Sequence, residues 1–204
     1  MVSSDHFSFM YLSTKYYSFA IILSIRNGIY ISDTLITNHH HMASIDELRA
    51  ERIKKLEALT ASGKMGYPAS STRTHEMSSI LTNFSVLESS QEKVIVTGRV
   101  MSSRGQGAIA FIDLYDGSAR MQVVIKLPES TEEVMNFYRE YVDTGDFIEI
   151  TGTVFVTKSG QQSILVSNVT MLSKSLLPLP GKYHGVQDEE LRMRERYLDI
   201  LTNP

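Results

Sequence analysis

Ala108-Ile-Ala-Phe-Ile-Asp-Leu-Tyr115, then Asp116-Gly117-Ser118, then Ala119-Arg-Met-Gln-Val-Val-Ile125 is the stretch whose reading decides the fold. Ala108, Ala110, Ile112 and Leu114 alternate with Ile109, Phe111 and Asp113, and a period of two is that of a strand with one face buried. Asp116-Gly117 between two such runs is the signature of a hairpin turn. The small and aliphatic set therefore points inward, and Phe111 points out. If the two strands pair around Asp116-Gly117, Gln122 lies near Phe111.

The same period continues upstream. From Lys93, Val94, Val96, Gly98 and Val100 face one way and Ile95, Thr97, Arg99 and Met101 the other, which gives a first strand and a three-stranded meander. Downstream, Ser130-Thr-Glu-Glu133 reads as a capping box. It leads a helix whose Val134, Phe137, Tyr138, Tyr141 and Val142 share one face before Gly145 stops it. Strands at about Asp146 to Thr157 and Gln162 to Leu172, joined at Lys158-Ser-Gly160, complete the set. Three strands, a helix and two strands is the order of an OB-fold, a five-stranded β-barrel that binds oligonucleotides on its strand 2 and 3 face. The fold class is mainly β with flanking helices. In front of the barrel, Ser44 and Glu47 form a capping box. Ile45, Leu48, Ile53, Leu56 and Leu59 follow as the stripe of an amphipathic helix ending near Gly63. Gly66 to His75 is an extended linker, and Met77 to Leu81 adds one helical turn.

Composition narrows the function classes. A chain of 204 residues is long enough for one well-buried domain with appendages. It has no cysteine, so disulfides, thiolate metal sites and cysteine nucleophiles are all excluded, which suits a reducing cytoplasmic setting. The net charge of −3 gives no general pull toward nucleic acid, and residues 93 to 174 carry eight basic against nine acidic side chains. Any nucleic-acid binding is therefore local and leans on stacking rather than on phosphate neutralisation. Residues 1–41 lack sustained periodicity and read as an atypical, weakly structured extension. Their apolar run, Phe19 to Ile25, is far short of the roughly 20 residues a membrane helix needs, so no membrane partner is expected. His39-His40-His41 lacks other ligands beside it and reads as a solvated tract, not a metal site.

The last thirty or so residues include Leu176-Leu-Pro-Leu-Pro180, His184-Gly185, Asp188, Glu190, Arg192, Arg196 and the closing Tyr197-Leu-Asp199. This stretch resembles the hinge that joins the anticodon-binding domain to the catalytic domain in class II lysyl-tRNA synthetases. Met42-Ala-Ser-Ile-Asp-Glu-Leu48 is similar to the family's opening, which implies Met42 as the start and 1–41 as an added extension. The resemblance divides the chain into 42–90, helix and linker; 91–174, an anticodon-binding OB-fold; and 175–204, a hinge and helix leading toward a catalytic domain that would begin after Pro204. It also implies roles for four residues. Phe111 stacks on the central anticodon base, Gln122 hydrogen-bonds nearby, Arg104 at the end of the first strand contacts the anticodon, and the residue after Gly160 reads a base. At that last position the family usually has Glu and this chain has Gln161, which loses the charge-assisted strength of a carboxylate acceptor. From pattern alone Phe111 equally suits a ring covering the lead helix or the linker.

Chemistry finds no support inside the chain: it has no Gly-rich phosphate loop, no serine elbow and no histidine pair at metal-binding helical spacing. No catalytic residue and no cofactor is assigned to it, and ATP and Mg belong to the full-length family. The leading expectation is the tRNA-binding part of a lysine--tRNA ligase, inactive by itself, recognising the lysine anticodon stem-loop. The alternatives are a free-standing OB module for single-stranded nucleic acid and an inert or adaptor fragment. The terminal helix, about Asp188 to Leu201, would leave Leu198 and Leu201 exposed, so self-association or binding to a full-length subunit is a further expectation.

Overall fold

Every second residue of β2 (Ile109–Tyr115) is buried, Ala110, Ile112 and Leu114 on one side, and the same alternation runs through β4 (Phe147–Val156) with Ile148, Ile150 and Val154. A one-residue slip in either strand would turn that set to solvent, so burial of one face fixes the register. These two strands join β1 (Lys93–Gln106), β3 (Arg120–Lys126) and β5 (Gln162–Ser173) in a closed barrel of order β1-β2-β3-β5-β4. The computed structural model describes residues 44–179 and 189–202. The readings made of residues 1–41, His39 to His41, Met42, Pro180, His184-Gly185 and Asp188 lie outside them.

β1 is long enough to serve two neighbours. Its first half, Lys93 to Arg99, pairs with β4, and its second half, Arg99 to Gln106, with β2, across an irregularity between Val100 and Ser102. β5 runs antiparallel to β4 and parallel to β3, and that parallel pairing, Gln122 opposite Ser163, closes the ring. The hairpin between β2 and β3 is wider than a two-residue turn: Tyr115 pairs with Arg120, leaving residues 116–119 as the loop. Asp116 Oδ1 accepts from the Ser118 and Ala119 amides at 2.8 and 3.0 Å, Gly117 supplies the positive φ of 93°, and Asp116 Oδ2 accepts from the Met77 amide at 2.9 Å.

The helices plug and flank the barrel. α4 (Glu132–Tyr141) buries Val134, Met135 and Phe137. Its cap is one residue later than the sequence suggests: Thr131 accepts from the Val134 amide, while Ser130 turns inward and donates to the Val166 carbonyl at 2.6 Å. A buried carbonyl without a partner costs more than a lost helix cap, so the serine is committed to the interior. α2 (Met77–Thr82) is the expected turn, and α3 (Phe84–Ser90) follows it unforeseen; together they bury Met77, Ile80, Phe84 and Leu87. The expected terminal helix is two short ones, α5 (Glu189–Arg194) and α6 (Arg196–Thr202), in which Arg192 and Arg196 both bond Asp199. Leu198 is half-buried there, contrary to the expectation of exposure, and Met193, Tyr197 and Ile200 are the exposed apolar residues.

α1 (Ile45–Ala61) has the expected capping box, with Ser44 and Glu47 exchanging bonds of 3.2 and 2.7 Å. Its apolar stripe is only partly used. Leu59 is buried, but Ile45 is 64% exposed, so the first turns project into solvent and the helix is held at its middle by polar contacts. Arg52 donates to the carbonyls of Thr144, Ser175 and Leu177 at 2.8–3.0 Å, and Lys55 pairs with Asp143 at 2.6 Å. Asp143 and Asp146 in turn meet Lys174, at 2.5 and 2.7 Å. Burial pushes the Asp143 carboxyl up, but hydrogen bonds and charge from Lys174 and Lys55 outweigh it and hold the group below its ordinary value of 3.8. A carboxyl depressed on folding contributes stability above its unfolded value and loses it as pH falls through the folded one. Urea unfolding below about pH 4 is therefore expected to fall more steeply for the natural chain than for Asp143→Asn.

Candidate nucleic-acid interface

The outer face of β2 and its neighbours carries three of the four residues singled out in the sequence, and the loop before β5 carries the fourth. Phe111, opposite Arg104 of β1 and Val124 of β3, is half-buried. The Arg104 guanidinium lies over that ring, 5.6 Å from its centroid. Among the described residues Arg104 makes no ion pair, so its five N–H donors are held in place by stacking and remain available.

Gln122 is directly opposite Asp113, two positions along from Phe111's partner, so it is the diagonal neighbour of the ring, about 7–8 Å away by sheet geometry. Its Nε2 donates to the Ser163 hydroxyl at 2.9 Å, and that hydroxyl donates to the Gln161 carbonyl at 3.2 Å. Ser163 is fully buried. The chain Gln122–Ser163–Gln161 fixes the amide so that its acceptor end, Oε1, is the one left without a partner among the described residues. An acceptor beside a stacking ring selects a base edge that offers an N–H.

Gln161 itself sits in the turn after Gly160. Its amide N–H donates to Thr157 Oγ1 at 3.0 Å, and its exposed side chain makes only a long 3.5 Å contact to the Gln162 carbonyl. The turn is thus rigid and the side chain adaptable. Arg104 lies on the Phe111 ring, Gln122 stands at its diagonal, and the backbone of Gln161 is joined to Gln122 through the buried Ser163. Sequence reasoning missed Ser163, whose role follows from a parallel pairing between strands 41 residues apart.

A concavity of about 280 Å³ lies elsewhere, lined by Lys64, Met65, Phe137 and Met171 among others, and includes none of the four. Among the described residues no cluster of His, Cys, Asp or Glu is placed to hold a metal ion, and no helix is long and apolar enough to cross a membrane. A half-open ring flanked by guanidinium and amide suits an unpaired base laid flat on the sheet.

Comparison with known proteins agrees with the barrel fold. Residues 94–172 match the model of the OB-fold nucleic acid binding domain. Over a longer span the chain is similar to lysine--tRNA ligases. It is 39% identical to that of Clostridium botulinum (strain Loch Maree / Type A3) across 84% of this chain and 33% of that protein. It is 40% identical to that of Clostridium tetani across 78% and 31%, and 39% identical to that of Clostridium perfringens (strain SM101 / Type A) across 85% and 34%. The chain spans about a third of the length of these relatives.

Proposed function

We propose that the barrel binds the anticodon loop of a tRNA and that the chain serves as the anticodon-binding part of a lysine--tRNA ligase, with 42–90 as lead helix and linker, 91–174 as the binding domain and 175–204 as the hinge. The observation that carries this reading is the Phe111 ring, half-open on the outer face of β2 with the Arg104 guanidinium over it and the Gln122 amide at its diagonal. Phe111 stacks on one unpaired base, Gln122 accepts from that base or its neighbour, Arg104 supplies charge, and Gln161 reads a further base without the carboxylate strength of a glutamate. ATP and Mg belong to the catalytic part of such a ligase; the barrel's share is the choice of tRNA. The setting is cytoplasmic. Self-association, or docking on a full-length subunit, would use the exposed Met193, Tyr197 and Ile200 of α5 and α6.

Fluorescence anisotropy with a labelled lysine anticodon stem-loop tests the reading. Since base stacking on an aromatic is worth roughly 1–3 kcal/mol, Phe111→Ala is expected to weaken binding by that amount. With eight basic against nine acidic side chains in residues 93 to 174, affinity is expected to be modest and its salt dependence shallow. Equal binding of base-substituted stem-loops would favour a general single-strand module, and no binding at all, with Phe111→Ala silent, an adaptor.

A further inference from the structure

A second aromatic lies on the same face of β2 as Phe111. Tyr115 is four residues along, and since side chains two apart share a face, both rings look outward. Tyr115 is the cross-strand partner of Arg99 on β1 and of Arg120 on β3, and Arg99 is in turn the partner of Phe147 on β4. One row across four strands therefore reads Phe147, Arg99, Tyr115, Arg120: ring, guanidinium, ring, guanidinium.

The two arginines of this row are spent differently. Arg99 lies 4.3 Å from the centroid of Phe147 and donates to the Gly145 carbonyl at 3.0 Å, so it is fixed into the sheet. Arg120 lies 5.5 Å from the centroid of Tyr115, is exposed, and its side chain makes no hydrogen bond or ion pair among the described residues. It thus repeats what Arg104 does over Phe111: an uncommitted guanidinium parked on a half-open ring. A charged side chain with no carboxylate partner, held in place by a ring, is a pre-positioned donor for a phosphate or a base edge.

We infer that Tyr115 and Arg120 form a second nucleotide-binding ledge on this barrel, taking another unpaired nucleotide of the RNA strand that reaches Phe111, with its base on the tyrosine ring and its phosphate on the guanidinium. This inference rests on the proposed RNA-binding function. Four residues of strand separate the ledges by about 14 Å. That is about four nucleotides of stacked strand, fewer where the strand is extended. Asp113, opposite Gln122 and between the two rings, bears a negative charge, so the strand crosses that point with a base edge toward the sheet and its phosphates turned away.

The test uses the full chain, the lysine anticodon stem-loop, and binding measured over a range of salt for the natural protein, Phe111→Ala, Tyr115→Ala, Tyr115→Phe and Arg120→Gln. Tyr115→Ala is expected to weaken binding about fivefold to a hundredfold, and Tyr115→Phe to keep it, because stacking and not the hydroxyl is at work. Arg120→Gln removes no structural contact other than the ring and should fold normally. It is expected to lower the slope of log K against log salt by about 0.7, the loss of one single-strand phosphate contact. Binding by Tyr115→Ala and Arg120→Gln within twofold of the natural chain, while Phe111→Ala is weakened, overturns the second ledge and leaves the first standing. Failure of the natural chain to bind the stem-loop overturns both.

Discussion

Asp146→Ala is expected to lower the free energy of unfolding by about 3–5 kcal/mol, the largest single effect in the molecule, read from urea denaturation at neutral pH. Asp146 is wholly buried, and so is the Lys174 side chain it meets at 2.7 Å, at 0% and 1% exposure. The aspartate also accepts the amides of Asp143 at 2.7 Å and Ser175 at 2.8 Å. Removing it leaves an ammonium in the interior with one carboxylate where it had two, and leaves two amides unsatisfied. Replacing Lys174 with Met in the same chain should recover part of the loss, because the stranded charge is then gone. A loss under 1 kcal/mol for Asp146→Ala alone would show that water reaches the site and that the cluster does not hold the end of the barrel.

Gly152→Ala comes next. A Cβ there would sit 2.2 Å from the Leu165 carbonyl oxygen and 2.6 Å from Ile164 Cγ2, at the irregularity where β4 and β5 shift register between Thr151 and Gly152. The oxygen is backbone in a paired strand and cannot swing aside, so the two strands must separate locally. Overpacking of this kind costs typically 1–3 kcal/mol and more where backbone must move, and the upper end is expected here. Thermal unfolding should fall by roughly ten degrees or more for a barrel of this size. Gly107→Ala makes the contrast: its Cβ meets nothing within 4 Å, although its φ of 60° carries a strain of its own, so the smaller loss isolates conformation from collision.

The barrel was legible because its strands announce themselves locally. Val94, Val96 and Val100, then Ala110, Ile112 and Leu114, keep a strict period of two, and each lands inside. The helix boundaries were less so. Met77, Ile80, Phe84 and Leu87 are spaced as a helical stripe, yet Asn83 and a run of serines break the pattern, and α3 emerges from packing more than from propensity. Ser130 was misjudged as a cap because its partner, the Val166 carbonyl, is 36 residues away. The single hairpin was enough to bring Gln122 near Phe111, whereas Arg104 entered by resemblance alone, its place over the ring appearing only in the β1–β2 register, and Ser163 did not enter at all. It belongs to the parallel junction of β3 and β5, whose register no local pattern encodes. The lead helix shows the opposite fault: Ile45 and Leu48 look like core in the sequence but extend past the surface they would cover.

The place of β5 has a consequence for how the chain is made. β3 and β4 touch no common neighbour until the strand from Gln162 to Ser173 slides between them. A nascent chain that has emerged only as far as Gly160 therefore carries two open seams, each a row of unshared amides and carbonyls able to recruit the matching seam of another copy. The last strand out is the zip, and any pause in synthesis ahead of it prolongs the interval in which neighbouring copies can knit together.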